Sequence, residues 1–269
     1  MKKLVLALTF LMFISAQPAH ADLGYDVEYQ DGETELMGYW ADSQCNDSST
    51  PPVIVVVPQW KGISYHERQV AHKLARICYN VFVADMYGKG IRPETNEQAK
   101  EQSSKYKNDP ALGRQRVKSA INFAKQKGRT TKAAVMGYCF GGTMALETAR
   151  SGADIAAAIS FHGGLSSKAP SFEEGSIKTP ILVHHGDKDP LVPAKEVKAF
   201  FKEMDKTDAD WTFSRYADAV HGFTQKSSGN DPSTGVAYNR KADERSWLST
   251  LSFLELVFGR DIERRPIKY

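Results

Sequence analysis

The sequence predicts an α/β protein with a mostly parallel central sheet and helices on both faces. Three observations carry this. Short apolar runs alternate with helical patterns along most of the chain. The runs Val53–Val57, Val81–Asp85, Ala133–Tyr138, Ile155–Phe161, Ile181–His185 and Trp211–Tyr216 read as strands apolar on both faces, as buried parallel strands are. The segments between them carry apolar stripes at helical spacing, several with recognisable caps.

Taken in order, the chain opens on "MKKLVLALTFLMFISAQPAHA", residues 1–21. Lys2 and Lys3 precede an apolar run from Leu4 to Ile14, and Ala19-His20-Ala21 supplies a small-x-small cleavage site. The run is shorter than the roughly 20 residues a membrane span needs. The expectation is a cleaved export signal and a periplasmic or secreted mature protein, with residues 22–269 as one domain and no membrane association after cleavage. "YDVEYQDGETELMGYW" then gives two strand-like runs about Asp31-Gly32, a hairpin signature. Ser64 and Glu67 form a capping box ahead of Val70, Leu74 and Ile77. Asp109-Pro110 opens a helix with Val117, Ala120, Ile121 and Ala124 on one face, and Gly128 closes it. Val197, Phe200, Phe201 and Met204 form a further stripe, and Trp247, Leu251, Leu254 and Phe258 form the last. These stripes read as core.

Of 269 residues, 41% are hydrophobic and 25% charged, ordinary values for a globular chain. The net charge of +3 is too small and too dispersed for a nucleic-acid footprint. Arg114, Arg116, Lys118, Lys125 and Lys127 read as the solvated face of a helix, and the basic stretch Arg260 to Lys268 as an exposed tail. Lys89 and Arg92 read as exposed cations.

The chemistry concentrates at "MGYCFGG", Met136 to Gly142. An apolar strand runs straight into helix-forming residues, so the chain must bend sharply at Cys139. Positions two before and two after such an apex crowd each other, and Gly137 and Gly141 occupy them. The bend lifts the thiol above the sheet beside a helix N-terminus, which favours the thiolate. A nucleophile needs a base, and the base needs an acid to orient it. Downstream, "HHGDKDPLVP" offers Asp187 and Asp189 in the loop after one strand, and "YADAVHGF" places His221 in the loop after the next. Nucleophile, acid, histidine is the chain order expected when all three sit at the C-terminal edge of such a sheet. The backbone N–H groups of Phe140, after the apex, and of Trp60, in the turn after Val53–Val57, are the expected oxyanion donors.

With these residues in view, the chain resembles the dienelactone hydrolase family, within the α/β-hydrolase fold. "VIVVVPQWKG", "VFVADMYGKG", "MGYCFGG", "SFHGGL", "HHGDKDPLVP" and "AVHGF" carry the resemblance over nearly the whole mature chain. It implies a Cys139–His221–Asp189 triad, with Asp189 preferred over Asp187, no metal or other cofactor, and hydrolysis of a small-molecule ester or lactone through a thioester. Two positions depart from the family pattern. Gln59 stands where dienelactone hydrolases carry a glutamate thought to interact with the resting thiol, and Gln225 where they carry an arginine for the substrate carboxylate. Both favour a less anionic ester or lactone over dienelactone itself. Tyr87 and His162 follow strands at the same edge and join Gln59 and Gln225 as pocket candidates, Tyr87 and His162 each reading equally as a structural hydrogen-bonder.

The fold so implied sets the second hairpin strand, ending near Trp40, antiparallel beside the strand starting at Val81. That brings Cys45 and Cys78 together at the edge opposite the active site and predicts a structural disulfide, leaving Cys139 as the free thiol of the three cysteines. The competing functional readings are a thioesterase or peptidase with the same triad, and a non-catalytic binding or redox protein.

Overall fold

The computed structural model describes residues 24–45, 50–169 and 172–259. The expected export segment, 1–21, and the basic stretch Arg260 to Lys268 lie outside them. The predicted hairpin is present as β1 (Gly24–Asp31) and β2 (Thr34–Ala41), paired antiparallel about Gly32, whose φ of 59° suits a residue without a Cβ. Six strands follow: β3 (Val53–Val57), β4 (Asn80–Val83), β5 (Ala133–Tyr138), β6 (Ala157–Phe161), β7 (Ile181–Gly186) and β8 (Trp211–Tyr216). They form one sheet in the order β1-β2-β4-β3-β5-β6-β7-β8. β2 meets β4 antiparallel, and every pairing from β4 through β8 is parallel.

The alternation of the strands divides the core in two. Ile54, Val56, Val81, Ala134, Met136 and Ile159 face helices α1 (Tyr65–Ala75) and α6 (Arg240–Phe258), through Val70, Leu74, Leu254 and Phe258. Val53, Val55, Val57, Val135, Ala158 and Val183 face the other way. There they meet α3 (Pro110–Lys127), α4 (Phe140–Arg150) and α5 (Ala194–Thr207). Helices thus cover both faces, as expected. Ser64 and Glu67 make the expected capping box on α1, and Asp109 caps α3 with Pro110 in its first turn.

Several boundaries and surfaces differ from the sequence reading, each for a local reason. β4 stops at Val83 because the Asp85 carboxylate accepts the N–H groups of Tyr87 and Gly88, turning the chain out of the sheet. β6 starts at Ala157, since Ile155 N–H closes a turn onto the Ala153 carbonyl. Ile77 lies beyond α1 in a turn onto Leu74. β8, at the sheet edge, is only partly buried rather than apolar on both faces. Arg116 is buried rather than solvated, 3.1 Å from Asp31, and Arg114 reaches the buried Glu147 at 2.7 Å. A helix absent from the sequence reading, α2 (Asn96–Asn108), is capped by Thr95 and buries only Ala99, Ser103 and Tyr106.

Cys45, after β2, and Cys78, before β4, are joined by a disulfide with Cα atoms 5.1 Å apart. Ser43 N–H donates to the Asn80 side chain and Gln44 N–H to the Ala75 carbonyl, so the bridge lies where the parallel strands begin.

Candidate active site

Every sequence-predicted site residue follows the C-terminal end of a parallel strand, where open α/β sheets hold their ligands. Gln59 and Trp60 follow β3, Tyr87 follows β4, Cys139 follows β5, His162 follows β6, Asp189 follows β7, and His221 and Gln225 follow β8.

The turn from β5 into α4 is forced by close packing. Cys139 has φ 52° and ψ −116°, a strained conformation for a residue with a Cβ. A Cβ added to Gly137 would overlap the backbone of Gly141, and one added to Gly141 would overlap the Val57 carbonyl. Only glycine lets the first turn of α4 lie this close to β3 and β5. Phe140 is the first helical residue, and its N–H has no acceptor among the described residues.

The thiol, the imidazole and the carboxylate come together. His221 Nε2 lies 3.1 Å from Cys139 Sγ, and His221 Nδ1 lies 2.9 Å from Asp189 Oδ2. An ionised carboxylate only accepts, so Nδ1 carries the proton and the ring is held with Nε2 toward sulfur. Asp189 has no exposed side-chain surface, and its second oxygen accepts the Leu191 N–H at 2.8 Å. Burial works against a charge on His221, but hydrogen bonds and attraction from Asp189 and Cys139 outweigh it and push the pKa up to about 10. Asp187 points elsewhere, paired with Arg215 in a more exposed position. Of the two acids left open by the residues alone, only Asp189 meets the ring.

Cys139 alone among the described cysteines is unbridged, and it is partly accessible. Trp60 is half-buried in the turn after β3, and its N–H has no acceptor among the described residues. Gln59 is nearly buried, its N–H facing Glu67 at 3.4 Å, and its side-chain Nε2 is buried without a partner. Tyr87 donates its hydroxyl to the Trp60 carbonyl at 2.8 Å. Gln225 sits half-exposed in the loop after His221.

Of the two readings of His162, the structure corrects the pocket-lining one and keeps the structural hydrogen-bonder: the residue is fully buried beneath the bend. Its Nδ1 accepts the Cys139 N–H at 3.2 Å, so Nε2 carries the proton and donates to Thr224 Oγ1 at 2.9 Å. Burial, reinforced by His221 5.1 Å away between ring centroids, keeps its pKa well below the usual histidine value. A neutral ring therefore ties the Cys139 backbone to the loop that carries His221 and Thr224. Sequence reasoning missed Thr224 and the second duty of Glu67, which holds the Gln59 turn besides capping α1. Nothing in the local pattern marks Thr224; the Ser64–Glu67 spacing at least marked Glu67.

A cavity of about 270 Å³ adjoins α4, lined by Tyr106, Lys107, Thr143, Met144, Glu147 and Lys168 among others; neither Cys139 nor His221 lines it. Among the described residues no group of three or more His, Cys, Asp or Glu side chains is placed to hold a metal.

A model of the dienelactone hydrolase family matches residues 38–258. The chain is similar to a probable 2-oxo-3-(5-oxofuran-2-ylidene)propanoate lactonase of Bradyrhizobium sp, 27% identical over 213 residues, 76% of this chain and 83% of that one. It is also similar to carboxymethylenebutenolidase of Pseudomonas putida, 26% identical over 228 residues, 80% of this chain and 91% of that one. A solved structure of a dienelactone hydrolase-like promiscuous phosphotriesterase from metagenomic libraries superposes with a TM-score of 0.79 at 32% identity, covering 87% of this chain and 98% of its own.

Proposed function

The chain belongs to the dienelactone hydrolase family, and from that premise we propose that it opens small esters or lactones with Cys139 as the nucleophile. It is a hydrolase of this family; the identity of the nucleophile and the thioester route are the proposal. The observation that carries the reading is the continuous line from Asp189 through His221 to the Cys139 sulfur, at 2.9 and 3.1 Å.

The steps follow from that line. The sulfur, having given its proton to His221 Nε2, attacks the substrate carbonyl carbon. A C–S bond forms while the carbonyl oxygen becomes an oxyanion, which accepts hydrogen bonds from the Phe140 and Trp60 N–H groups. The intermediate collapses, the C–O bond breaks, and the leaving alkoxide takes the proton from His221. In a lactone that alcohol stays tethered to the acyl group. Water then attacks the thioester with His221 as base, the C–S bond breaks, and carboxylic acid is released. Asp189 keeps the ring oriented and stabilises its charged form. Gln59 and Gln225 are neutral where a carboxylate-bearing substrate would be gripped or a thiol relay supplied, which supports a less anionic ester or lactone.

Cys139→Ala should lower turnover of an activated aryl ester by at least about 10³-fold, the scale for removing a nucleophile. Steady-state kinetics beside the wild type are the check, and turnover within a few-fold would remove Cys139 from the mechanism. The same screen should include lactones, thioesters and an aryl phosphotriester, the last because a similar protein is named for that activity. Residues 1–21 and a disulfide support export; an exported protein whose intact mass starts elsewhere than Asp22 would contradict that cleavage site.

A further inference from the structure

We propose that Tyr87 is a positioning residue that fixes the two oxyanion amides relative to each other, an inference that rests on the reading of Cys139 as nucleophile. Its hydroxyl and its ring reach the two donors separately. The hydroxyl donates to the Trp60 carbonyl at 2.8 Å, and the ring packs against Phe140 with centroids 6.0 Å apart.

The turn that carries the Trp60 N–H is held at each peptide. Gln59 N–H faces Glu67 Oε1 at 3.4 Å, and the same carboxylate's other oxygen accepts the N–H and hydroxyl of Ser64 at 2.9 and 2.6 Å. Gly62 N–H donates to the Gln59 carbonyl at 2.9 Å. That carbonyl shares a peptide plane with the Trp60 N–H, so the plane's tilt is set on one side. The next plane contains the Trp60 carbonyl, and Tyr87 is its hydrogen-bond partner. With both planes fixed, the Trp60 N–H keeps one direction.

Tyr87 is itself anchored. Its N–H donates to the buried Asp85 carboxylate at 3.0 Å, and the Met37 N–H bonds the other oxygen of that carboxylate at 3.0 Å. Its ring also lies 5.7 Å from Tyr106, which in turn lies 6.2 Å from Phe140, so three aromatic rings wedge the start of α4. Only 5% of Tyr87 is exposed, and burial raises its hydroxyl's pKa, keeping it a donor. Oxyanion stabilisation depends on donors already in place before the charge develops. A residue that locks one donor while packing on the other acts on that step and leaves the thiol alone.

The test separates the two. Alkylation of Cys139 by iodoacetamide forms an S–C bond at a saturated carbon and expels iodide, so no carbonyl oxyanion develops. Hydrolysis of an aryl ester does develop one. Tyr87→Phe removes the hydroxyl and keeps the ring. It should lower kcat by about tenfold or more, part of the 10²- to 10³-fold of losing a whole donor, with KM and the alkylation rate within about twofold of wild type. Tyr87→Leu, which also removes the ring, should lower kcat further at an alkylation rate still near wild type. Hydrolysis by Tyr87→Phe within twofold of wild type would overturn the inference, and so would alkylation slowing in step with hydrolysis. If Cys139→Ala keeps wild-type turnover, the underlying reading fails instead, whatever Tyr87 does.

Discussion

The two edges of the central sheet solve opposite problems with the same strands. Where the parallel strands end, the chain is held in conformations it would not choose. Cys139 and His162 both carry positive φ, at 52° and 40°, and His162, Asp189 and His221 bring buried polar groups with them. Where the strands begin, a covalent bridge and a helix-capped turn tie the hairpin to the parallel part. Strain at the C-terminal edge sits among the polar groups of the candidate site, whereas the opposite edge, where Cys78 also carries a positive φ of 75°, adds constraint without chemistry. The comparison implies that changes at the C-terminal edge alter reaction rates, whereas changes at the N-terminal edge alter stability alone.

The largest effect should come from the elbow itself. Gly141→Ala places a methyl group on the Val57 carbonyl, and that backbone sits in the middle of the sheet and cannot withdraw. Destabilisation of at least about 3 kcal/mol is expected, with hydrolysis lost in whatever folds. Chemical denaturation and ester turnover measure the two together. A stable, active Gly141→Ala protein would mean that the bend is not held by this contact.

Next in size is the acid. Asp189→Asn should lower kcat by about 10²- to 10⁴-fold, because the amide can donate to Nδ1 and turn the ring to the wrong tautomer. It should also move the pH profile. His221 is raised from 6.5 to about 10 in the folded protein, so the resulting stabilisation is complete below about pH 6.5 and fades as pH rises through about 10. On the proposed mechanism the proton it holds is the one given to the leaving group, so kcat/KM should fall on its alkaline side near pH 10. With the Asp189 charge and hydrogen bond removed, that limb should shift to lower pH. An alkaline limb at the same pH in both proteins would show that Asp189 does not hold the His221 proton.

How much of this was legible depends on whether a residue's job is done by local pattern. Gly137 and Gly141 flank Cys139 at fixed spacing because steric crowding at a bend is a short-range fact, so the elbow could be read directly. Asp189 and His221 were readable as loop residues after strands, yet choosing Asp189 over Asp187 needed either a family likeness or the ring itself. α2 escaped because its buried positions are Ala99, Ser103 and Tyr106, which make no apolar stripe. Arg116 looked solvated because its partner, Asp31, lies far back in the hairpin. His162 stayed open between pocket residue and structural hydrogen-bonder because nothing in "SFHGGL" tells that its ring turns inward to meet Cys139 N–H and Thr224. Such long-range pairings are decided by topology, and the local pattern around each of these residues carries no record of them.

The smallest effect on chemistry should come from the opposite edge. The disulfide closes a loop of 33 residues between Cys45 and Cys78. Restricting the unfolded chain over such a loop stabilises by about 2–4 kcal/mol in the chain-entropy account. Replacing both cysteines by serine should therefore lower the denaturation midpoint by the equivalent amount. Because the bridge lies where the strands begin and Cys139 where they end, kcat/KM of the folded variant should stay within about twofold of wild type. The variant also leaves Cys139 as its sole cysteine, so thiol titration of the folded state then reads Cys139 alone. A folded Cys45→Ser/Cys78→Ser protein with hydrolysis reduced tenfold would show that the hairpin transmits order across the sheet, and the separation of the two edges would not stand.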